Sequence, residues 1–112
     1  MHNPDAVVVA TGSVPVIPTI PGIDKRNVVV AVDLLKNNED TGKHIIVVGG
    51  GLVGCETALH LAQKGKSVTV IDKLPEIAQD VIFMAMFSLL QALAEKSITT
   101  EASLELMEIT DK

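Results

Sequence analysis

The sequence predicts an α/β fold with a parallel sheet. Two β-branched apolar runs, His44–Val48 and Ser67–Ile71, are typical of strands, and the first suits a buried parallel strand. Residues 52–65 between them carry apolar side chains at helical spacing. A strand, a helix and a second strand in this order form a βαβ unit with parallel strands. We therefore expect a Rossmann-like, three-layer arrangement of helices around the sheet.

Glycines follow the first strand with the spacing G-x-G-x-x-G. Gly49 allows a tight turn after the strand, Gly51 lets the main chain approach a ligand closely, and Gly54 lets the helix pack near the sheet. The first N–H groups of a helix have no partner within it, and the helix dipole favours an anion there. The run from Gly49 to Gly54 therefore predicts a pyrophosphate site.

An acidic residue follows the second strand. Asp72 lies 23 positions after Gly49, close to the separation of about 20 residues that places a carboxylate on the ribose of a bound dinucleotide. Because a carboxylate repels the 2′-phosphate of NADPH, we expect NADH as the cofactor and NADPH less readily. Lys73 is a cation next to Asp72 that could pair with such a phosphate.

Other interpretations of these residues remain open. The glycine run can be a structural turn without a ligand, and Asp72 can be a solvated residue at a strand end. A P-loop is not supported, because Gly65-Lys66-Ser67 has the right ending but His60 stands where the motif requires its first glycine.

Composition limits the function classes. The chain has 112 residues, a net charge of −5 and 2% aromatic residues, which favours aliphatic strands under helices and argues against a nucleic-acid partner. No apolar run approaches the roughly 20 residues of a membrane-spanning helix, so no membrane partner is expected. The single cysteine, Cys55, excludes an internal disulfide and fits a cytoplasmic protein.

The N-terminal part is predicted to be a strand and a connector. Residues 6–10 are typical of a strand, and prolines at positions 15, 18 and 21 keep the following stretch extended. We assign residues 1–22 to this strand and connector. Residues 23–112 are assigned to a dinucleotide-binding domain that is incomplete at its C-terminus.

The C-terminal part is predicted to add a helix over residues 80–96 and strands at 98–100 and 104–109. Residues 81–87, here called the apolar belt, are apolar on every side of that helix. Such a helix is normally buried all round. The strand at 6–10 and the apolar belt are the two surfaces through which we expect a homodimer, with a missing domain of a longer parent chain as the alternative partner of the belt.

Two segments of the chain resemble one enzyme family. Residues 4–13, with the sequence PDAVVVATGS, are similar to the A-T-G segment that leads from the FAD domain into the NAD(P)H domain of two-dinucleotide-domain flavoprotein reductases. Residues 49–72 are similar to the NAD(P)H domain itself. The chain most resembles the group formed by NADH:flavin oxidoreductase, 2,4-dienoyl-CoA reductase and enoate reductase, and is identified as a truncated NAD(P)-binding domain of the FAD/NAD(P)-binding type.

The resemblance implies roles for single residues. It places the pyrophosphate on the three motif glycines, the ribose hydroxyls on Asp72, the nicotinamide amide near Glu56, and the flavin of the parent enzyme near Gly12. A helix-stabilising role for Glu56 in the first turn is an equal alternative. The candidate cofactor-binding residues are Gly12, Gly49, Gly50, Gly51, Leu52, Val53, Gly54, Glu56, Asp72 and Lys73.

No residue is predicted to be catalytic or to bind a metal. Cys55 stands alone inside the helix and is predicted to pack, while His44 and His60 lack a partner at metal-ligand spacing. In such enzymes the cofactors carry the hydride chemistry. The resemblance implies FAD in the parent enzyme, together with FMN and an iron–sulfur cluster if the closest likeness holds, and none of the three in this chain.

Three functions are therefore considered. The first is an NADH-binding domain that delivers hydride to FAD, with the FAD domain of the same parent chain as its partner. The second is a non-enzymatic module that senses the NADH/NAD ratio, and the third is an FAD-binding Rossmann unit. The A-T-G segment favours the first, because in the family it follows the FAD fingerprint and precedes the NAD one. We expect the chain alone not to be catalytically competent.

Overall fold

A computed structural model of the protein describes residues 2–111. In this part of the chain three helices and three strands follow one another as α1 (Ala31–Asn37), β1 (His44–Val48), α2 (Leu52–Gln63), β2 (Ser67–Ile71), α3 (Phe83–Glu95) and β3 (Thr99–Glu101). The predicted bounds of β1 and β2 are confirmed, and β3 begins one residue later than predicted. The helix after β1 ends two residues earlier than predicted, and Gly65 follows it with a φ of +80°.

The three strands form one parallel sheet with β2 in the centre. β1 and β2 pair along their whole length, and β2 pairs with β3 over the three residues of β3. Because the strands are parallel, their carboxyl ends lie at the same edge of the sheet. The turn after β1 and Asp72 after β2 are thereby brought to one edge, and the predicted α/β fold with a parallel sheet is confirmed.

The core lies where α2 packs on the sheet. Cys55 and Ala58 on α2, Val70 on β2 and Leu93 on α3 are at most 1% exposed. α1 and α3 both pack against α2. The side chains that α2 turns toward β2 therefore hold the fold together.

One face of β1 is exposed to solvent. Ile46 and Val48 are 66% and 53% exposed, whereas Ile45 and Val47 between them pack against the core. Side chains alternate between the two faces of a strand, so β1 has one covered and one uncovered face in the described part of the chain. The prediction that β1 is a buried strand is wrong for the uncovered face.

Residues 6–10 do not form the predicted strand. Val7, Val8 and Val9 are between 75% and 90% exposed, and the backbone there is irregular. A strand is stabilised by hydrogen bonds to a neighbouring strand, and residues 6–10 meet none within residues 2–111. The extended N-terminal segment also explains the radius of gyration of 16.6 Å, against about 13 Å for a compact domain of this length.

Most of the apolar belt is exposed, although Val81 and Met86 are partly buried against the core. Ile82, Phe83, Met84 and Phe87 are between 74% and 85% exposed, while Leu93 further along α3 is buried. The prediction of burial all round is wrong, because α3 turns only one side toward α2 and the sheet. The helix also begins later than predicted, since residues 78–81 form a turn before it. None of the described helices is long and apolar enough to cross a membrane.

Residues 104–109 do not form a strand either. Their backbone is irregular. Residues 109–111 lie against the loop at 21–27, where the Ile109 N–H donates to the Pro21 carbonyl at 2.9 Å and the Lys25 Nζ pairs with the Asp111 carboxylate at 2.8 Å. Gly22 permits this approach, because a Cβ there would overlap the Ile109 carbonyl oxygen.

Candidate functional site

The turn between β1 and α2 contains the glycine run. Gly49 has a φ of +105°, in the left-handed region that glycine adopts without steric cost. Its N–H donates to the Ile71 carbonyl at 2.9 Å. The turn is thus fixed to the end of β2, beside Asp72.

Gly54 brings the first turn of α2 close to this turn. A Cβ at Gly54 would overlap the Gly49 carbonyl oxygen and would lie 3.5 Å from the Val47 Cγ1. Only glycine leaves room for such an approach of helix and strand. The helix start is therefore set directly beside the carboxyl end of β1.

Gly51 precedes α2 with an extended backbone, φ −75° and ψ −171°. A Cβ there would meet only the tip of a side chain, the Asp80 carboxyl group, at 2.8 to 3.2 Å. The first N–H groups of α2 have no acceptor within the helix, and Leu52 and Val53, which carry two of them, are 43% and 60% exposed. The N–H groups at a helix start form an arrangement that binds phosphate.

Asp72 is held at the glycine turn by its own carboxylate. One carboxylate oxygen accepts the Gly50 N–H at 2.7 Å, and the other accepts the Leu74 N–H at 2.9 Å. A carboxylate offers about four acceptor positions, so two remain for further donors. The predicted pair of features, the glycine turn and the acid after β2, is thus joined by a direct hydrogen bond.

Asp80, predicted only as the first residue of a helix, also reaches the glycine turn. Its two carboxylate oxygens lie 3.1 and 3.4 Å from the Leu52 N–H. The loop that carries Asp80 is anchored to the turn, since the Ala78 N–H donates to the Gly50 carbonyl at 2.6 Å. Asp80 and Leu52 are 28 residues apart, and no local sequence pattern indicates such a contact.

Cys55 is fully buried beneath the turn, and its thiol donates to the Gly50 carbonyl at 3.3 Å. Burial, and to a smaller extent the negative charges of Asp80, Asp72 and Glu56, raise the pKa of this thiol to about 11. Since the thiolate is the reactive form of cysteine, the thiol is unreactive at neutral pH. The prediction that Cys55 packs in the core is confirmed.

The remaining predicted site residues are more dispersed. Glu56 is the fifth residue of α2 and exposed, so its predicted place in the first turn is wrong. Lys73 is exposed next to Asp72. Gly12 lies in the extended N-terminal segment with a φ of +100° and no atom within 4 Å of where its Cβ would be. The described contacts therefore join the turn and Asp72, but not Gly12.

Clefts elsewhere on the molecule have a different character. One of about 540 Å³ lies at the amino ends of β1 and β2, lined by Lys43, His44 and Lys66 among others. Lys66 is already engaged there, donating to the Thr41 carbonyl at 3.1 Å and lying 3.6 Å from Asp40. This cleft is at the opposite end of the strands from the glycine turn, so we place the candidate site at the turn.

The family described as pyridine nucleotide-disulphide oxidoreductase matches residues 3–111. The chain belongs to this family. The match covers both the N-terminal segment and the βαβ unit. Members of the pyridine nucleotide-disulphide oxidoreductase family are oxidoreductases, and a solved structure that shares the fold is described as FAD-dependent.

Relatives and solved structures agree with this family. The chain is 41% identical over 111 residues to an NADH oxidase of Thermoanaerobacter brockii, covering 96% of the chain and 17% of that protein. A 2-naphthoyl-CoA reductase in complex with 2-naphthoyl-CoA superposes with a TM-score of 0.86 at 30% identity, over 91% of the chain and 16% of the reductase. The water-forming NADH oxidase of Lactobacillus brevis, bound to NADH, gives 0.70 at 27% identity, over 90% of the chain and 24% of the oxidase. The chain thus spans less than a quarter of each.

Proposed function

We propose that this chain binds NADH at the glycine turn and that, within a longer enzyme, it presents the cofactor for hydride transfer to FAD. The observation that carries the proposal is the hydrogen bond of 2.7 Å between the Gly50 N–H and the Asp72 carboxylate. It supports the proposal because a carboxylate suited to ribose hydroxyls then lies beside a helix start suited to phosphate. The similarity to NADH oxidases supports the choice of cofactor.

The residues of the turn fit a dinucleotide. The pyrophosphate would lie over Gly51, where no Cβ intervenes, and would accept hydrogen bonds from the N–H groups of Leu52 and Val53. The ribose would bind the free acceptor positions of Asp72. NADH supplies the hydride when it is bound, and this chain's residues orient it.

The charge of Asp72 favours NADH over NADPH. The negative charge of this carboxylate would repel a 2′-phosphate beside it. Lys73 adjoins it but is exposed to solvent, where a single cation gains little from pairing with an anion. We therefore expect NADPH to bind more weakly than NADH.

We further propose that the longer enzyme belongs to the NADH:flavin oxidoreductase, 2,4-dienoyl-CoA reductase and enoate reductase group. The similarity to an NADH oxidase over 96% of the chain and the TM-score of 0.86 with 2-naphthoyl-CoA reductase support this assignment. FAD, FMN and an iron–sulfur cluster would then be bound by other parts of that enzyme.

Titration of the purified 112-residue chain with NADH, NADPH and FAD tests the proposal. We expect saturable NADH binding by calorimetry, weaker NADPH binding and no FAD binding. Gly51→Val should abolish NADH binding, since its side chain would fill the phosphate position. This glycine suits the test because it has neither a positive φ nor backbone atoms against its Cβ position.

Gly42→Val is the matched control. Gly42 has no atom within 4 Å of its Cβ position and lies in the loop before β1. This variant should bind NADH as the wild type does, and circular dichroism should show that both variants are folded. Absence of NADH binding by the wild type, or equal binding by Gly51→Val, would contradict the assignment, and preferential FAD binding would favour the flavin alternative.

We also propose that two copies of the chain associate through the apolar belt. Four large apolar side chains of the belt are at least 74% exposed, and contiguous exposed apolar surface commonly marks an interface. Sedimentation velocity should show a dimer that Phe83→Ser weakens. Val8→Ser, an equally exposed apolar residue on the other predicted surface, is the control, and a monomer at high concentration would refute the proposal.

A further inference from the structure

The glycine turn already holds an anion, and that anion belongs to the protein. The Asp80 carboxylate lies 3.1 Å from the Leu52 N–H and 2.8 Å from the position of a Cβ on Gly51. A phosphate oxygen that accepts from the same N–H must approach to within about 3 Å. The carboxylate and a phosphate therefore compete for one position.

The backbone of the loop that carries Asp80 is anchored to the glycine turn. Ile77 and Ala78 are buried, the Ala78 N–H donates to the Gly50 carbonyl at 2.6 Å, and the Val81 N–H returns to the Ala78 carbonyl at 3.0 Å. This short turn keeps the backbone of Asp80 next to the helix start. The side chain itself is exposed, so rotation of its own bonds is enough to swing the carboxylate into solvent.

We propose that Asp80 sets the affinity of the site for the dinucleotide: its carboxylate occupies the phosphate position in the free protein and must leave before the pyrophosphate binds. The inference rests on the proposed function. Two effects weaken binding, because the carboxylate occupies the position and because its negative charge repels the phosphates. The apparent dissociation constant equals the intrinsic one divided by the fraction of molecules in which the position is open.

Two variants separate these effects. Asp80→Asn removes the charge but keeps an oxygen that can accept from the Leu52 N–H, and Asp80→Ala removes both. We expect Asp80→Asn to bind NADH about two- to tenfold more tightly than wild type, and Asp80→Ala about two- to thirtyfold more tightly, from the usual strength of a carboxylate at a helix start. Calorimetry of the 112-residue chain measures both.

Glu76→Gln is the matched control. Glu76 is an exposed acid on the same loop, and its replacement changes the net charge by the same amount as Asp80→Asn. NADH affinity should change by less than twofold in this variant, so a larger effect at Asp80 comes from its position at the turn. Free Asp80→Ala should also exchange its Leu52 amide hydrogen faster than wild type, because the acceptor is gone.

The outcomes distinguish the inference from the proposed function. If wild type binds NADH and Gly51→Val does not, but the Asp80 variants bind equally well or more weakly, the inference is wrong and the proposed function stands. If Asp80→Asn and Glu76→Gln raised the NADH affinity equally, the cause would be the change in net charge and not the position of Asp80. That result would also overturn the inference. If no variant binds NADH, both fall.

Discussion

The βαβ unit at residues 44–71 and the N-terminal segment at residues 4–20 are built from similar residues but adopt different structures. Both contain runs of valine and isoleucine with adjacent glycines. In the unit, β1 and β2 pair along their full length and Val70 is fully buried. In the N-terminal segment, Val8 is 90% exposed and no strand forms.

The difference shows that β-branched composition specifies a strand only where a partner is available. The helix between β1 and β2 brings the second strand back beside the first within about 30 residues, as a βαβ unit requires. Residues 6–10 have no such return. The intrinsic preference of valine for extended backbone is worth too little to order a strand alone.

Gly54→Ala should give the largest effect that the comparison predicts. The added Cβ would overlap the Gly49 carbonyl oxygen, so either α2 or the turn must shift, and we expect the free energy of unfolding to fall by about 3 kcal/mol. Urea denaturation measures the change. Gly42→Ala, at an open position, should change stability by less than about 0.5 kcal/mol, and a Gly54→Ala protein as stable as that control would refute the close packing.

The valine pair compares the two regions directly. Val70→Ala removes buried side-chain atoms from the central strand and should cost about 2 kcal/mol of unfolding free energy. Val8→Ala changes an exposed side chain and should stay within about 0.5 kcal/mol. Equal losses in the two variants, measured by the same denaturation curves, would show that the N-terminal segment packs on the domain.

Asp111→Asn should have the smallest effect. The substitution breaks the ion pair with Lys25. The Asp111 side chain is 85% exposed and the Lys25 side chain 34% exposed. Exposed pairs contribute little, so we expect a loss of no more than about 0.5 kcal/mol that vanishes in high salt. Thermal unfolding at low and high salt measures it, and a loss well above 1 kcal/mol would mean that residues 109–111 are part of the core assembly.

Much of the fold could be predicted because its signals are local. The bounds of β1 and β2 follow from uninterrupted β-branched runs, and the end of α2 is marked by Gly65. The predictions of a strand at residues 104–109 and of burial for the apolar belt were wrong because both depend on contacts with parts of the chain that are distant in the sequence. Residues 109–111 contact the loop at 21–27 some 85 positions away. α3 packs against α2, while Phe83, Met84 and Phe87 stay exposed.

In the candidate site, too, some contacts could be predicted from the sequence and others could not. The spacing from Gly49 to Asp72 reflects the length of one βαβ unit, so their meeting at one sheet edge could be predicted. The contact of Asp80 with Leu52 could not, because it depends on how the loop after β2 folds back over the turn. Its only local signal is an acid just before an apolar helix, which equally suits an ordinary helix start.

The hydrogen bond between Pro21 and Ile109, 2.9 Å long, closes nearly all of the folded part into one loop. The entropic cost of closing a loop grows only with the logarithm of its length. The contact therefore costs only about 0.6 kcal/mol more than a contact over half that length would.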